Sequence, residues 1–342
     1  MATCSNATTN FFAPFLPLST LLSGLAGMGA VNECLAAAIA LQGVSKRYGN
    51  FDAVSDLTLR VETGEVLGFL GPNGAGKTTT IRLLLGFLRP TTGTVHLLGH
   101  DMAAPKAALY ARSQLGFVPD VAGLDPTVTG LSLLDELAQL QRRPPVDRAL
   151  LIEALELRDP DLRRPIGQLS RGTRQKINIV QGMQHRPTLL ILDEPTEGLD
   201  PLAKRALFNL LRKTQMRGAT IFFSSHVLSE VEELCDRVAL IRGGQLAAVD
   251  RIDRLRAQMQ RRVAVQFATN VAESAAHLAA LPGIVGLTQT GGRWHFLTGD
   301  LPATLRLLAA LPVADVTIEP PSLEEIFLRY YRPEVLHDAG AE

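Results

Sequence analysis

The feature that most constrains how this chain folds is a glycine-rich turn between an apolar strand and a helix. Residues 65–70 read EVLGFL, residues 71–78 read GPNGAGKT, and a helical pattern follows from Thr79. Glycines let the backbone approach a ligand closely, and the N–H groups of a helix N-terminus attract anions. In a G-x-x-x-x-G-K-T pattern with these flanks, the lysine reaches the β- and γ-phosphates and the threonine hydroxyl ligates Mg²⁺. The turn therefore predicts a nucleotide site in which Lys77 and Thr78 act.

A second apolar strand ends in paired carboxylates. Residues 188–192 read TLLIL and lead into Asp193 and Glu194. Ligands of open α/β sheets bind at the carboxyl ends of the strands, where such side chains would meet the glycine loop. There Asp193 can hold Mg²⁺, and Glu194 can polarise the water that attacks the γ-phosphate.

A third segment lies between these two. Residues 169–176 read LSRGTRQK and precede a helical run over 177–183. Ser170 is a favourable N-cap residue, so a helix should begin here with free N–H groups facing outward. Taken alone, this segment is typical of an ordinary capped helix.

Together these motifs resemble the nucleotide-binding subunit of an ATP-binding cassette (ABC) transporter, and the similarity covers about residues 39–250. In family order the motifs are Walker A (71–78), the signature loop (169–173), Walker B (ending at Asp193), the D-loop (197–200) and the switch histidine at the end of FFSSH (222–226). The resemblance implies an α/β fold: a P-loop NTPase (RecA-like) core with an antiparallel β subdomain and a helical subdomain. A small α+β C-terminal domain is expected to follow.

In such proteins two subunits pair head to tail, and each ATP lies between one Walker A motif and the partner's signature loop. The resemblance implies that Ser170 and the N–H of Gly172 bind the γ-phosphate held by the partner. His226 would contact the γ-phosphate held by its own subunit, Tyr48 would stack on adenine, and Asp200 would signal across the dimer interface.

The candidate residues fall into three groups. Those expected to bind the nucleotide are Tyr48, Gly71, Pro72, Asn73, Gly74, Ala75, Gly76, Lys77, Thr78, Thr79, Ser170, Gly172 and Asp200. Those expected to take part in catalysis are Glu194, His226 and Lys77. Those expected to ligate Mg²⁺ are Thr78, Asp193 and Asp120.

Two departures from the family pattern bear on activity. Arg171 and Thr173 replace a glycine and a glutamine of the usual LSGGQ signature, but Gly172 is retained. Asp120 follows Pro119 where the family usually has a glutamine that helps coordinate Mg²⁺ and senses the membrane subunit. Asp120 can ligate Mg²⁺ as a hard oxygen donor, or it can add negative charge beside the triphosphate and weaken binding. Both alternatives stay open, and ATP hydrolysis is expected.

Composition excludes several classes of protein. The 342 residues include 34 basic and 34 acidic side chains, and this balance argues against a chain that mainly coats nucleic acid. Three scattered cysteines predict neither a disulfide framework nor a metal site. Residues 11–31 are uncharged and long enough to cross a bilayer, but no basic flank accompanies them. We favour a disordered extension or a true start near Met28, with a membrane anchor and a packed element as alternatives.

Three parts are predicted along the chain. Residues 1–36 form the N-terminal extension, and residues 37–254 form the ABC ATPase domain. Its helical subdomain covers about residues 120–170, where two amphipathic patterns are separated by a pair of prolines. Residues 255–342 form a C-terminal domain whose β-α-β-β-α-β order is ferredoxin-like.

The C-terminal domain carries no catalytic constellation. We expect it to regulate activity or support dimerisation, with ligand sensing and packing alone as alternatives. A capping-box pattern at Ser322 predicts a final helix that ends at about Tyr331.

The sequence thus predicts an ATP-binding and ATP-hydrolysing subunit of a membrane exporter at the cytoplasmic face of the cell membrane. It would work as a homodimer or heterodimer of nucleotide-binding domains, power a separate permease, and bind no nucleic acid. One alternative is a soluble ABC-type ATPase acting on ribosomes or DNA, which a single cassette without heptads disfavours. The other is a regulatory cassette that hydrolyses ATP poorly because of Asp120.

Overall fold

The computed structural model describes residues 37–120, 124–257, 260–268, 276–280 and 283–319. The predicted N-terminal extension and the helix expected at Ser322 lie outside these ranges. No helix within them is long and apolar enough to span a bilayer.

The secondary structure alternates between strands and helices along most of the chain. The strands are β1 (Ala37–Tyr48), β2 (Phe51–Glu62), β3 (Val66–Leu70), β4 (Thr92–Leu97), β5 (His100–Asp101), β6 (Leu115–Val118), β7 (Leu189–Asp193), β8 (Thr220–Ser225), β9 (Arg237–Arg242), β10 (Gln245–Arg251), β11 (Arg261–Phe267), β12 (Ile284–Thr290), β13 (Arg293–Thr298) and β14 (Val313–Glu319). The helices include α1 (Lys77–Leu84), α2 (Pro105–Ser113), α3 (Gly130–Gln141), α4 (Arg148–Ala154), α5 (Asp159–Leu162), α6 (Arg171–Met183), α7 (Pro201–Met216), α8 (Leu228–Leu234), α9 (Ile252–Ala257) and α10 (Leu301–Ala309).

The central sheet has the strand order β10-β9-β3-β8-β7-β6. Strands β3, β7 and β8 are buried along their whole length, as expected of parallel strands covered on both faces. The register pairs Leu70 with Ser225 and Asp193 with Ser224, so the carboxyl ends of these three strands meet at one edge. That edge carries the glycine loop and both predicted carboxylates.

Alternate residues of the central strands enter two separate cores, because successive side chains of a strand point to opposite faces. One core contains Leu190 and Phe223 together with the helical subdomain and α6. The other contains Ile191 and Phe222 together with α1 and the four-stranded sheet β2-β1-β4-β5. These layers position the nucleotide-binding loop between the two sheets.

The helical subdomain contains α3 and α4, which match the two amphipathic patterns of the sequence. Thr129 caps α3 by accepting a hydrogen bond from the N–H of Ser132 at 3.1 Å. Asp147 precedes α4, and its carboxylate accepts hydrogen bonds from Arg186 and Arg217 at 2.6 and 2.8 Å. These ion pairs tie the subdomain to the loops at the edge of the central sheet opposite the nucleotide site.

The C-terminal sheet has the order β12-β13-β11-β14, and every pair of neighbouring strands is antiparallel. Its core includes Val263, Val265, Phe296 and Leu308. This is the arrangement of a small α+β unit, and the fold class predicted from the sequence is confirmed.

Candidate nucleotide site

The glycine loop has a backbone that only glycine adopts without strain at two positions. Gly74 and Gly76 have φ values of +81° and +106°, in the left-handed region. A Cβ atom on Gly76 would lie 2.8 Å from the carbonyl oxygen of Ala53, and one on Gly71 would lie 2.6 Å from that of Ile241. Helix α1 begins after Gly76 without a side-chain cap, so its first N–H groups are available to an anion.

Lys77 lies inside the loop rather than in solvent and is 6% exposed. Its ammonium donates to the carbonyl oxygens of Gly71 and Pro72 at 2.6 and 3.2 Å. It also pairs with Glu194, with 3.1 Å between Nζ and Oε1. The lysine is therefore held at the mouth of the loop, where phosphate oxygens could take the place of the Glu194 carboxylate.

Asp193 ends β7 and is 5% exposed. Thr78 Oγ1 donates to its Oδ2 at 3.1 Å, and Ser224 Oγ donates to its Oδ1 at 2.8 Å. Burial raises the pKa of Asp193 and the nearby charge of Glu194 adds to this, whereas both hydroxyl hydrogen bonds and the charge of Lys77 lower the pKa. The carboxylate thus lies where its charge is unfavourable unless a cation is near.

The chemistry of this donor pair fits Mg²⁺. The oxygens of Thr78 and Asp193 are hard ligands and lie within hydrogen-bond distance of each other. Within the described residues, no group of three or more His, Cys, Asp and Glu side chains is arranged to hold a metal ion. A bound Mg²⁺ would therefore take most of its ligands from phosphate oxygens and water.

Glu194 and His226 form a pair beside Lys77. Oε2 of Glu194 lies 2.8 Å from Nδ1 of His226 and accepts a hydrogen bond from its backbone N–H at 3.3 Å. The backbone N–H of Glu194 donates to Ser224 Oγ at 3.1 Å. Glu194 has a φ of +49°, a strained conformation for a non-glycine residue and one that clusters at functional sites. The backbone conformation and the hydrogen bonds together hold the Glu194 carboxylate between Lys77 and His226.

The cleft at this edge has a volume of about 490 Å³. Four carboxylates line it, those of Asp120, Asp193, Glu194 and Glu197, whereas Lys77 is the single cationic residue among the described residues of its wall. Such a wall repels a bare triphosphate and favours one that arrives with a divalent cation. The remaining residues of the wall are Phe51, Ala53, Pro72, Asn73, Gly74, Gly76, Thr78 and Thr79.

The aromatic residue at the cleft differs from the one that the sequence predicts. Phe51 lines the cleft and is 65% exposed, whereas Tyr48, 46% exposed, does not line it. The two face each other across the β1–β2 hairpin, and the ring of Tyr48 lies 5.2 Å from Nζ of Lys46. Sequence reasoning missed Phe51, although an aromatic residue in the same hairpin turn was a usable signal.

Neither Ser170 nor Gly172 of the signature loop lines this cleft. Ser170 is exposed and caps α6: its Oγ accepts from the N–H of Thr173 at 3.1 Å and lies 2.8 Å from Thr173 Oγ1. The predicted N-cap is confirmed. Its outward-facing helix N-terminus is free to meet another molecule.

The signature loop packs on the D-loop of the same chain. Arg171 pairs with Glu197 at 2.6 Å, and a Cβ atom on Gly198 would lie 3.0 Å from the Cγ of Arg171. A Cβ atom on Gly172 would lie 2.8 Å from the carbonyl oxygen of Gly198. Arg171 is therefore accommodated where the family has glycine, and Gly172 is required by intrachain packing.

Asp200 caps α7 rather than lining the cleft. Its Oδ1 accepts from the N–H groups of Leu202 and Ala203 at 3.0 and 2.9 Å. The Ala203 hydrogen bond is the main cause of its lowered pKa. Within one chain, Asp200 thus orients the start of α7.

Ser224 is the other residue that sequence reasoning did not single out. Its hydroxyl holds both Asp193 and the backbone of Glu194. The signal available was a serine at the end of an otherwise apolar strand, two residues before the switch histidine.

Comparison with known proteins identifies the family. The ABC transporter family model matches residues 54–197. Nod factor export ATP-binding protein I of Burkholderia orbicola is 38% identical over 215 residues, which cover 62% of this chain and 70% of that protein. A daunorubicin resistance ATP-binding protein of Streptomyces coeruleorubidus is 32% identical over 304 residues, which cover 85% of this chain and 95% of that protein.

A solved structure of the ATP-binding subunit of an ABC transporter matches with a TM-score of 0.59 and 29% identity, covering 65% of this chain and 92% of that one. The sequence relatives and this structure agree on the family and on the P-loop NTPase fold. The chain belongs to the ABC transporter family and is an ATP-binding and ATP-hydrolysing subunit.

Proposed function

We propose that the chain is the ATPase subunit of a membrane exporter. The observation that carries the enzymatic part is the position of Glu194, which lines the cleft beside the glycine loop, lies 3.1 Å from Lys77 and is hydrogen-bonded to His226. The exporter part is supported by relatives described as acting in Nod factor export, bacitracin transport and daunorubicin resistance.

In the proposed reaction Lys77 binds the β- and γ-phosphates through its ammonium and releases the Glu194 carboxylate. Glu194 then accepts a hydrogen bond from the attacking water and polarises it. His226 holds Glu194 through its ring nitrogen and contacts the γ-phosphate. The protein groups thus supply positioning and electrostatic stabilisation, which are the main needs of phosphoryl transfer.

Mg²⁺ would be held by Thr78 and Asp193, and when bound it neutralises phosphate charge. Asp120 lines the same cleft and carries a hard oxygen donor. Asp120 also adds a fourth carboxylate to a wall with one cationic side chain among its described residues, so Mg²⁺-dependent hydrolysis by the wild type and by Asp120→Gln distinguishes the ligand role from the charge role.

The second half of each site would come from a partner subunit. Ser170 is exposed and caps α6, Gly172 lies in the first turn of that helix, and neither lines the cleft of its own chain. Asp200 positions the helix that follows the D-loop. This placement supports a head-to-tail dimer in which the signature loop of one subunit covers the ATP of the other. Closing and opening of that dimer would drive a separate permease, with this chain bound at the cytoplasmic face of the membrane.

The C-terminal unit has its own sheet and core, which supports a separate domain with a regulatory or dimer-supporting role. The boundary predicted after residue 254 falls inside α9, whose Leu255 packs in the core of the ATPase domain, so the boundary proposed here lies between α9 and β11. Strand β10 ends the central sheet at Arg251, and the separate sheet begins at Arg261. A unit with its own core can move or associate independently of the ATPase domain.

The test is affinity purification of the tagged chain from detergent-solubilised membranes, followed by identification of what co-purifies in stoichiometric amount. We expect a polytopic membrane protein, and Mg²⁺-dependent ATP hydrolysis by the complex. Recovery of ribosomes or DNA instead of a membrane protein would overturn the exporter assignment. A Lys77→Ala variant serves as the control, since it should retain the membrane partner and lose hydrolysis.

A further inference from the structure

A buried carboxylate outside the cleft has a partner at each oxygen. Glu230 lies on α8 and is 3% exposed. Its Oε2 accepts hydrogen bonds from Thr196 Oγ1 and Ser225 Oγ, both at 2.8 Å. Its Oε1 pairs with Nζ of Lys204 at 2.6 Å. None of these four residues lines the nucleotide cleft described above.

One hydroxyl group belongs to the loop after β7 and the other to the last residue of β8, the two segments that present the proposed catalytic pair. Thr196 lies two residues after Glu194, and Ser225 lies immediately before His226. Both hydroxyl residues are buried, with 9% and 0% exposure. One oxygen atom of Glu230 therefore joins the loop after β7 to the end of β8, within two residues of Glu194 and one residue of His226.

Lys204 connects the same carboxylate to the D-loop. It lies in the first turn of α7, and its backbone N–H donates to the carbonyl oxygen of Asp200 at 2.9 Å. A movement of the D-loop that shifts the start of α7 would displace Lys204, and the ion pair between Lys204 and Glu230 would transmit that displacement to Glu230. The three partners of Glu230 thus come from three separate elements around the site.

The ion pair is a poor source of stability, because burial of the Glu230 carboxylate costs desolvation and water screens the charge of Lys204, which is 34% exposed. A fully satisfied buried network instead limits the arrangements open to the groups that it joins. An apolar side chain could fill the same space, but it could not fix two hydroxyls and an ammonium in one geometry.

We propose that Glu230 is a positioning residue that sets the separation of Glu194 from His226 and couples it to the D-loop. The inference rests on the proposed role of Glu194 and His226 in hydrolysis. Glu230 does not touch the nucleotide cleft, so it acts through the loops and leaves the glycine loop unchanged.

The test compares Glu230→Ala, Glu230→Gln and the double variant Glu230→Gln with Lys204→Met. Glutamine retains an oxygen for the two hydroxyls but places its amide donors against the lysine ammonium, and methionine removes that conflict. We expect Glu230→Ala to lower kcat about 10- to 100-fold, the effect of a misplacement of about 1 Å. The double variant should recover part of the activity that Glu230→Gln alone loses, and the remaining loss measures the link through Lys204 to the D-loop; full recovery would refute that link.

The KM for MgATP and the Kd of a fluorescent ATP analogue should stay within about twofold, because the contacts of Lys77 and Thr78 do not involve Glu230. Thr196→Val is the milder variant in case Glu230→Ala does not fold. It removes one hydroxyl while keeping the shape of the side chain, and it should lower kcat in the same direction.

The ¹⁵N chemical shifts of the His226 ring give a readout that loss of stability alone would not move. In Glu230→Ala they should move toward those of a Glu194→Ala variant, which lacks the hydrogen bond to Nδ1. A folded Glu230→Ala with unchanged kcat or unchanged His226 shifts would overturn the inference. Absence of ATP hydrolysis in the wild type would instead refute the proposed function, and the His226 shifts would still test the positioning.

Discussion

Replacement of Glu194 by glutamine tests the centre of the proposed mechanism. The substitution keeps the size of the side chain and an oxygen that can accept from His226, but it removes the negative charge that polarises water. General-base catalysis contributes about 10²- to 10⁴-fold. We therefore expect kcat to fall by that factor, or about 2.7–5.4 kcal/mol at about 1.36 kcal/mol for each tenfold change.

Binding of ATP should survive the same change. In the wild type the Glu194 carboxylate lies 3.1 Å from the ammonium of Lys77, so phosphate oxygens must compete with it. The uncharged amide of glutamine no longer competes with phosphate for the Lys77 ammonium, and the substitution leaves three carboxylates in the cleft wall in place of four. We expect an affinity for ATP equal to or higher than that of the wild type, and accumulation of the ATP-bound dimer.

The assay combines phosphate release with light scattering of the eluted protein in the presence and absence of MgATP. The matched control is Glu153→Gln, which removes an exposed carboxylate on α4 and should change neither result. Turnover at the wild-type rate in Glu194→Gln would refute the role assigned to this residue. Loss of ATP binding would refute the competition between Glu194 and phosphate for Lys77.

Three further substitutions test features that the tertiary structure revealed. Asp147→Asn should lower the free energy of unfolding by about 1–2 kcal/mol at pH 7, since the hydrogen bonds to its two half-exposed arginines are charged on both sides. Those arginines lower the pKa of Asp147, so in urea titrations the difference in stability between the two proteins should begin to shrink below about pH 4, the unfolded-state pKa, and vanish only below the lower folded-state pKa. Gly172→Ala should lower the ATPase rate while ATP still binds, because a Cβ atom 2.8 Å from the oxygen of Gly198 displaces the D-loop; unchanged turnover would contradict this. Phe51→Ala should weaken ATP binding about 5- to 150-fold, the range of a base-stacking contact, and more than Tyr48→Ala does. A larger loss of affinity in Tyr48→Ala, measured by fluorescence titration, would identify Tyr48 as the stacking residue.

The parts of the site that the sequence predicts are those whose chemistry is local. The glycine loop is recognisable because its backbone conformation, its lysine and its helix start lie within eight consecutive residues, 71–78. Asp193 and Glu194 are recognisable because they end an apolar run. Ser170 is recognisable because a helix N-cap depends only on the residues that follow it.

The sequence by itself therefore determined the α/β class, the ATP site and its principal polar groups. Only the tertiary structure placed Phe51 at the cleft, brought Ser224 to Asp193 across 31 residues, and joined Thr196 to Glu230 across 34. Contacts between distant segments depend on strand register and helix packing, and a short pattern carries no information about either. Residues that bind phosphate can be found from their neighbours in the chain, whereas residues that hold them in position are defined by neighbours in space.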